Sequence, residues 1–374
     1  YFMVEKETKE DKINTLQEKE PEKNTRKLAS IQKIIELREH TNADKLLIAT
    51  VLGWNVICGK TDNLNVGDKV IYFEIDSLLP SDKLWCQFLK EKKFKLKTAK
   101  IRNELSQGLI MPLKILEEYK DKELNGKPIS INPDDYKEGD DLTDIMGIVK
   151  YLNDADEDLP YKYKGTQNPF PIDFGFEKTD EPRIQSSPQI LSMFMDKPFY
   201  ATLKYDGTSC TFFLDKKTDE FYICSRNMKR SYDKTDLYSI IADKYKIQDI
   251  LLQTEGKFAI QGEGYGPKIQ GNLLKSDSLK FAVFNVYNYS EKRYLDFEEI
   301  IDFCKVHELP FVDIVVEGEK FGYDVNQLKE LSKGNYPGTS NPREGLVFRL
   351  KKDWRGKQRA SFKIINNDFL LAKK

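Results

Sequence analysis

Hydrophobic positions are almost absent from the first stretch of the chain. From Glu5 to Lys23 charged and polar side chains follow one another without apolar periodicity, and residues 1–25 read as a disordered lead-in. From Arg26 the pattern changes to short β-type runs at 27–37, 45–52 and 70–75. They are separated by turn signals at Thr41-Asn42-Ala43-Asp44 and Asn65-Val66-Gly67-Asp68. Two further runs, 99–102 and 108–111, complete a set of about five strands, the number and spacing of a small closed β-barrel of the OB type.

Beyond residue 134 the chain turns acidic and turn-rich, with Asp154-Ala155-Asp156-Glu157-Asp158 and then the proline-bearing Gln167-Asn168-Pro169-Phe170-Pro171. This stretch predicts a linker. After it, strand patterns at 199–203, 210–214, 221–225, 257–261, 279–287 and 345–350 mix with helical patterns at 237–252, 296–307 and 325–333. Strands outnumber helices and do not alternate strictly with them, so the second half predicts an α+β fold rather than a doubly wound sheet. The expected domains are 26–150 and 151–374, with no internal repeat.

The chain has 374 residues, with 60 Lys and Arg against 61 Asp and Glu. Near-neutral net charge leaves the question of a nucleic-acid partner to local charge distribution. No apolar stretch is long enough for a membrane span, and no apolar signal core follows the first residues. Cys58, Cys86, Cys210, Cys224 and Cys304 are far apart, and His40 and His307 are the two histidines. A structural zinc cluster is excluded and a disulfide scaffold is disfavoured, which points to a reducing intracellular compartment, cytoplasmic or nuclear. Neither histidine adjoins a nucleophile motif, so catalysis would fall to lysine, carboxylates and a metal ion.

Candidate chemistry begins at Lys204-Tyr205-Asp206-Gly207, between two strand-like runs. Alone this string is also compatible with an ordinary hairpin turn. It is followed in order by Ser225-Arg226-Asn227, by Gly262-Glu263-Gly264 at the end of a strand, and by Val283-Phe284 within one. Arg343-Glu344-Gly345-Leu346-Val347 and Ser361-Phe362-Lys363 complete the series. Any one member has a bland reading as turn, core or surface residue; the ordered set is more specific. Gly262-Glu263-Gly264-Tyr265-Gly266 is not a dinucleotide loop, because Pro267 and Lys268 follow and the third glycine is misplaced.

This series resembles motifs I, Ia, III, IIIa, IV and V of the covalent nucleotidyltransferases, the polynucleotide ligases and mRNA capping enzymes. Arg26-Lys27-Leu28-Ala29-Ser30, Gly67-Asp68-Lys69-Val70 and Ser106-Gln107-Gly108-Leu109 are similar to the OB domain of the Deinococcus–Naegleria type of RNA ligase. The segment from Lys178-Thr179-Asp180-Glu181 to Arg183-Ile184-Gln185 resembles the same family. The resemblance implies an OB barrel ahead of an α+β, ATP-grasp-like nucleotidyltransferase domain, acting as an ATP-dependent RNA ligase with Mg²⁺ or Mn²⁺.

By that resemblance Lys204 attacks the α-phosphate of ATP, and AMP then passes to an RNA 5′-phosphate that a 3′-OH seals, on a nicked duplex. Asp206, Glu263 and Glu344 would hold the metal. Lys363 would stabilise phosphate charge and help lower the pKa of Lys204. Arg226, Glu263, Phe284 and Gln185 would bind nucleotide. Many relatives carry Lys-x-Lys in motif V, whereas this chain has Lys363-Ile364-Ile365; Lys357 and Arg359 are alternatives for the second cation.

The run 90–102 holds Lys90, Lys92, Lys93, Lys95, Lys97, Lys100 and Arg102 against one acid, Glu91, with Phe94 interleaved. It is a candidate RNA surface, and equally a solvated face. A monomer without membrane association is expected. The competing readings are a DNA ligase or capping enzyme, disfavoured because only residues 364–374 follow Lys363, and a non-catalytic nucleic-acid-binding protein. Intact Lys204, Glu263 and Glu344 argue against the latter.

Overall fold

The computed structural model describes residues 27–150, 170–171, 174–215, 217–355 and 358–372. The expected lead-in and most of the expected linker, including 154–158 and 167–169, lie outside the described residues. By contact density the chain divides into two compact units. The first comprises Tyr1–Gln32, Lys69–Leu96 and Ile110–Tyr151; the second comprises Lys33–Asp68, Lys97–Leu109 and Leu152–Lys374.

Within the first unit a three-stranded sheet takes Val149–Lys150, Ser77–Leu78 and Lys95–Leu96 in that order. The opening of the strand Ala29–Glu39 is fixed by Ile31 N–H to Asp140 O (2.9 Å) and Leu142 N–H to Ala29 O (2.9 Å). Within the second unit the later residues of that strand pair antiparallel with Leu46–Val51, from Ile34 opposite Val51 to Glu39 opposite Leu47. Leu46–Val51 in turn pairs with Trp54–Gly59. The last strand was not expected, because Gly53 breaks its apolar run where the hairpin turns. The expected strands near 27–37, 45–52, 70–75, 99–102 and 108–111 are present, as Ala29–Glu39, Leu46–Val51, Lys69–Phe73, Ala99–Ile101 and Leu109–Pro112.

The rest of the second unit is α+β. A four-stranded sheet runs Ile314–Gly318, Phe199–Leu203, Gly345–Arg355, Gln358–Ile365. A six-stranded sheet runs Lys229–Arg230, Glu220–Cys224, Thr208–Asp215, Phe258–Tyr265, Lys280–Asn288, Arg293–Tyr294. Neighbouring strands in both are antiparallel. The period-2 pattern explains the first sheet: Leu346, Phe348 and Leu350 pack in one core with Phe362, Ile364 and Phe199. Phe348 and Phe362 stack at 5.0 Å. Burying each phenylalanine contributes about 1.5–3 kcal/mol.

Helices pack against both sheets, Val325–Ser332 against the four-stranded one. Leu237–Lys244 and Ile247–Gln253 stand where the sequence predicts a single helix over 237–252. Lys246, at φ 51°, breaks it, so that Ile241 and Ala242 of one segment and Ile247 and Leu251 of the other all reach the core. Phe297–Val306 starts at an Asp296–Glu299 capping box, and Val325–Ser332 at an Asp324–Gln327 box. No helix among the described residues is long and apolar enough to cross a membrane. All five cysteines are buried free thiols.

Candidate active site

Lys204 stands where the chain leaves the four-stranded sheet, and residues 204–207 carry it into the six-stranded one. Its backbone is fixed at three points. Lys204 N–H donates to Gly345 O (3.0 Å), Leu203 N–H donates to Asp313 O (2.9 Å), and the Tyr336 hydroxyl donates to Lys204 O (2.8 Å). The same hydroxyl accepts from Asp206 N–H (3.0 Å) and Glu344 N–H (3.2 Å). A buried tyrosine, 1 % exposed, therefore ties together the backbones that bear the candidate nucleophile and two candidate metal ligands.

The glycines of the motifs have steric reasons. A Cβ on Gly207 would stand 2.4 Å from Gly264 O and 2.8 Å from Glu263 Cγ. Gly345 has φ +151°, and a Cβ there would meet Ile364 O. Glu263, expected at a strand tip, lies within Phe258–Tyr265, opposite Ser209 on one side and Ala282 on the other. The register fixes where its carboxylate stands more firmly than a loop would.

A cavity of about 670 Å³ brings together Lys204, Asp206, Arg226, Glu263, Phe284, Glu344 and Lys363. Lys204 Nζ is 2.7 Å from Glu344 Oε1. Burial opposes the charge on Lys204, but Glu344, Glu263 and Asp206 outweigh it and hold the amine above the ordinary lysine range. The expected lowering of Lys204 by Lys363 is thus reversed in this state, because the three acids prevail. Burial, reinforced by Glu344 and Asp206, pushes Glu263 up to about 8. Lys363 takes the lowered value: burial, with Lys204 and Arg183 nearby, brings it to about 8 against the pull of Asp180.

Two acids of the segment before Lys204 complete the cavity. Asp180 accepts from Lys363 Nζ (2.9 Å) and pairs with Arg226 Nη2 (2.7 Å). Glu181 accepts from Arg349 Nη2 (2.7 Å) and from the Ser361 hydroxyl. Arg349 lies over the Phe284 ring at 5.7 Å. Asp180, Glu181, Tyr336 and Arg349 were not singled out from sequence as site residues. Asp180 and Glu181 fall in the family-like segment 178–185, but Tyr336 has no motif beyond a Pro-Gly turn.

Gln185 does not line the cavity. It is buried in the turn Ile184–Ser186 against Gly53, whose added Cβ would stand 3.0 Å from Gln185 Cβ. Lys93, Lys97, Lys100 and Arg102 are exposed and Lys95 is partly buried. Lys93 and Lys95 belong to the first compact unit, whereas Lys97, Lys100 and Arg102 belong to the second. Lys357 lies outside the described residues, as does the side chain of Arg359. Among the described residues no trio of acids is gathered closely enough to cage a metal ion. Asp206, Glu263 and Glu344 nevertheless supply hard oxygen donors, the type that suits Mg²⁺ or Mn²⁺ held partly through water.

Comparison with known proteins gives the same reading. Residues 197–365 match the RNA ligase family model and residues 28–113 match an OB-fold domain model. Among curated proteins, the phenylalanine–tRNA ligase beta subunit of Halalkalibacterium halodurans is 32% identical over 131 residues, covering 33% of this chain. The match spans 15% of that relative's length. Among solved structures, a Naegleria gruberi RNA ligase mutant with ATP and Mn aligns with TM-score 0.75 and 28% identity over 93% of this chain and 99% of that one. A mutant with AMP and Mn gives the same values. The Naegleria gruberi RNA ligase with PPi gives TM-score 0.73 and 29% identity over 92% of this chain and 98% of that one. With the ligase motifs gathered round one cavity, residues 197–365 form a domain that matches the RNA ligase family, behind an N-terminal match to an OB-fold domain.

Proposed function

We propose that this protein seals RNA 3′-OH/5′-phosphate breaks with ATP, through a lysyl-AMP on Lys204 and an adenylylated RNA end, on a nicked duplex. The observation that carries this is a backbone-locked lysine flanked by three carboxylates and, across the same cavity, by Lys363 and Arg226. Neighbouring structures carrying ATP and Mn, AMP and Mn, or PPi support an ATP-dependent nucleotidyl transfer. The expected domain division near residue 150 forms part of the proposal.

In the free protein Lys204 is an ammonium held by Glu344, and it must lose that proton before it can attack phosphorus. A Mg²⁺ or Mn²⁺ ion held by Asp206, Glu263 and Glu344 would neutralise phosphate charge there. With those carboxylates engaged elsewhere, burial dominates and lowers the pKa of Lys204. Its nitrogen then bonds to the α-phosphorus of ATP as the bond to pyrophosphate breaks. Lys363 and Arg226 exchange Asp180 for phosphate oxygens. Phe284 stacks on the base. An RNA 5′-phosphate oxygen next takes AMP from Lys204, and a 3′-hydroxyl oxygen displaces AMP to form the phosphodiester. Exposed Lys97, Lys100 and Arg102 of the second unit supply cations for the RNA backbone, and Lys93 is an exposed cation of the first.

Sealing of nicked duplexes that differ only in the sugar of the 3′-OH strand tests the reading, with ATP and Mn²⁺ supplied. The expected result is RNA sealing that Lys204→Ala abolishes while the protein remains folded. Sealing that survives Lys204→Ala, or that occurs only on DNA ends, would overturn it.

A further inference from the structure

Arg349 is a buried cation with unused donors. It is 2 % exposed, yet it lines the cavity, and its Nε and Nη1 have no hydrogen-bond partner among the described residues. Nη2 donates to Glu181 Oε1. Both Glu181 oxygens are occupied, one by Arg349 and one by the Ser361 hydroxyl, so Glu181 orients the guanidinium and has little left to offer a ligand. Burying a guanidinium with idle N–H groups is costly to the fold unless a ligand completes it.

The sheet register places this group relative to the chemistry. Gly345 O receives Lys204 N–H; the next cavity-facing row is Thr202, Val347 and Lys363; the row after that is Tyr200, Arg349 and Ser361. Rows on one face are spaced by about 7 Å, two residues of strand rise. Phosphate belongs at the Lys204–Lys363 end, so Arg349 stands beyond it, over the Phe284 ring at 5.7 Å from its centroid. A ligand group there is the base, and a guanidinium that offers only donors selects a ring acceptor.

We propose that Arg349, oriented by Glu181, is a specificity residue that donates a hydrogen bond to an acceptor nitrogen of the purine stacked on Phe284. This rests on the ligase reading and adds the contact that reads the base. Removing the one ring nitrogen it meets should weaken nucleotide use by about tenfold or more, the range of a hydrogen bond to a charged group.

The test measures covalent adduct formation with ATP and with 1-deaza-, 3-deaza- and 7-deaza-ATP, at fixed Mn²⁺, in the full chain. In the natural protein one analogue should show an apparent KM raised about tenfold or more, with the other two close to ATP. Arg349→Met should erase that difference, leaving the four nucleotides alike. Equal use of all three analogues by the natural protein overturns the proposal without any variant, which covers the case of a misfolded Arg349→Met. Unchanged discrimination in a folded Arg349→Met also overturns it. If ATP itself forms no adduct, the ligase reading falls and this inference with it.

Discussion

Lys204 and Lys363 share a cavity but carry opposite shifts, and the acids that face each decide the sign. Three carboxylates act on Lys204 and keep it charged, whereas Lys363 is held chiefly by Asp180 and feels Lys204 and Arg183 as like charges. Lys363 must be protonated to hold phosphate. Its free-state value of about 8 means that the ammonium is present below that pH and lost above it. The affinity for a non-reacting ATP analogue should therefore weaken as pH rises through about 8. Lys363→Arg, charged throughout, should flatten the profile, and titration of binding from pH 7 to about 9.5 checks this. A natural protein with no such decline would contradict the assignment. Lys204, Glu263, Glu344 and Lys363 were legible in the sequence because each is tied to a neighbouring glycine or strand at fixed order. The direction of the Lys204 shift was not legible, since it depends on how close carboxylates from three separate segments come.

At the scale of elements, the site is held by backbone junctions. Tyr336 reaches from the turn after Val325–Ser332 to the end of Phe199–Leu203 and to the residue before Gly345–Arg355. Tyr336→Phe leaves one buried carbonyl and two N–H groups without this partner, a loss of about 1–3 kcal/mol of stability. The expected kinetic signature is a rate of adduct formation reduced about tenfold or more with little change in apparent KM for ATP, because the nucleophile is misplaced while the cavity survives. Urea unfolding and single-turnover labelling measure the two effects, and an unchanged rate would remove Tyr336 from the positioning role. Sequence periodicity found most strands here because their apolar faces alternate cleanly, as in Gly345–Arg355. It missed Trp54–Gly59 behind a glycine, and the helix break at Lys246, where tertiary packing rather than a Gly or Pro imposes a positive φ. Gln185 shows the converse: the segment 178–185 is family-like as a string, but its register turns Asp180 and Glu181 to the cavity and Gln185 to Gly53.

For the whole molecule, the architecture of an N-terminal OB-fold domain and an α+β ligase domain was readable from strand spacing and motif order, and the family matches agree. The basic run was readable as charge alone; its residues divide between the two compact units, so composition could not make them one surface. The proposed reaction begins with one covalent bond, from Lys204 to AMP. Incubation of the full chain with ATP and Mn²⁺, followed by denaturation, intact mass measurement and peptide mapping, tests it most directly. A mass gain of one AMP is expected, localised to the peptide bearing Lys204 and absent from Lys204→Ala. No gain, or an adduct mapped to Lys363 or any other residue, would contradict it.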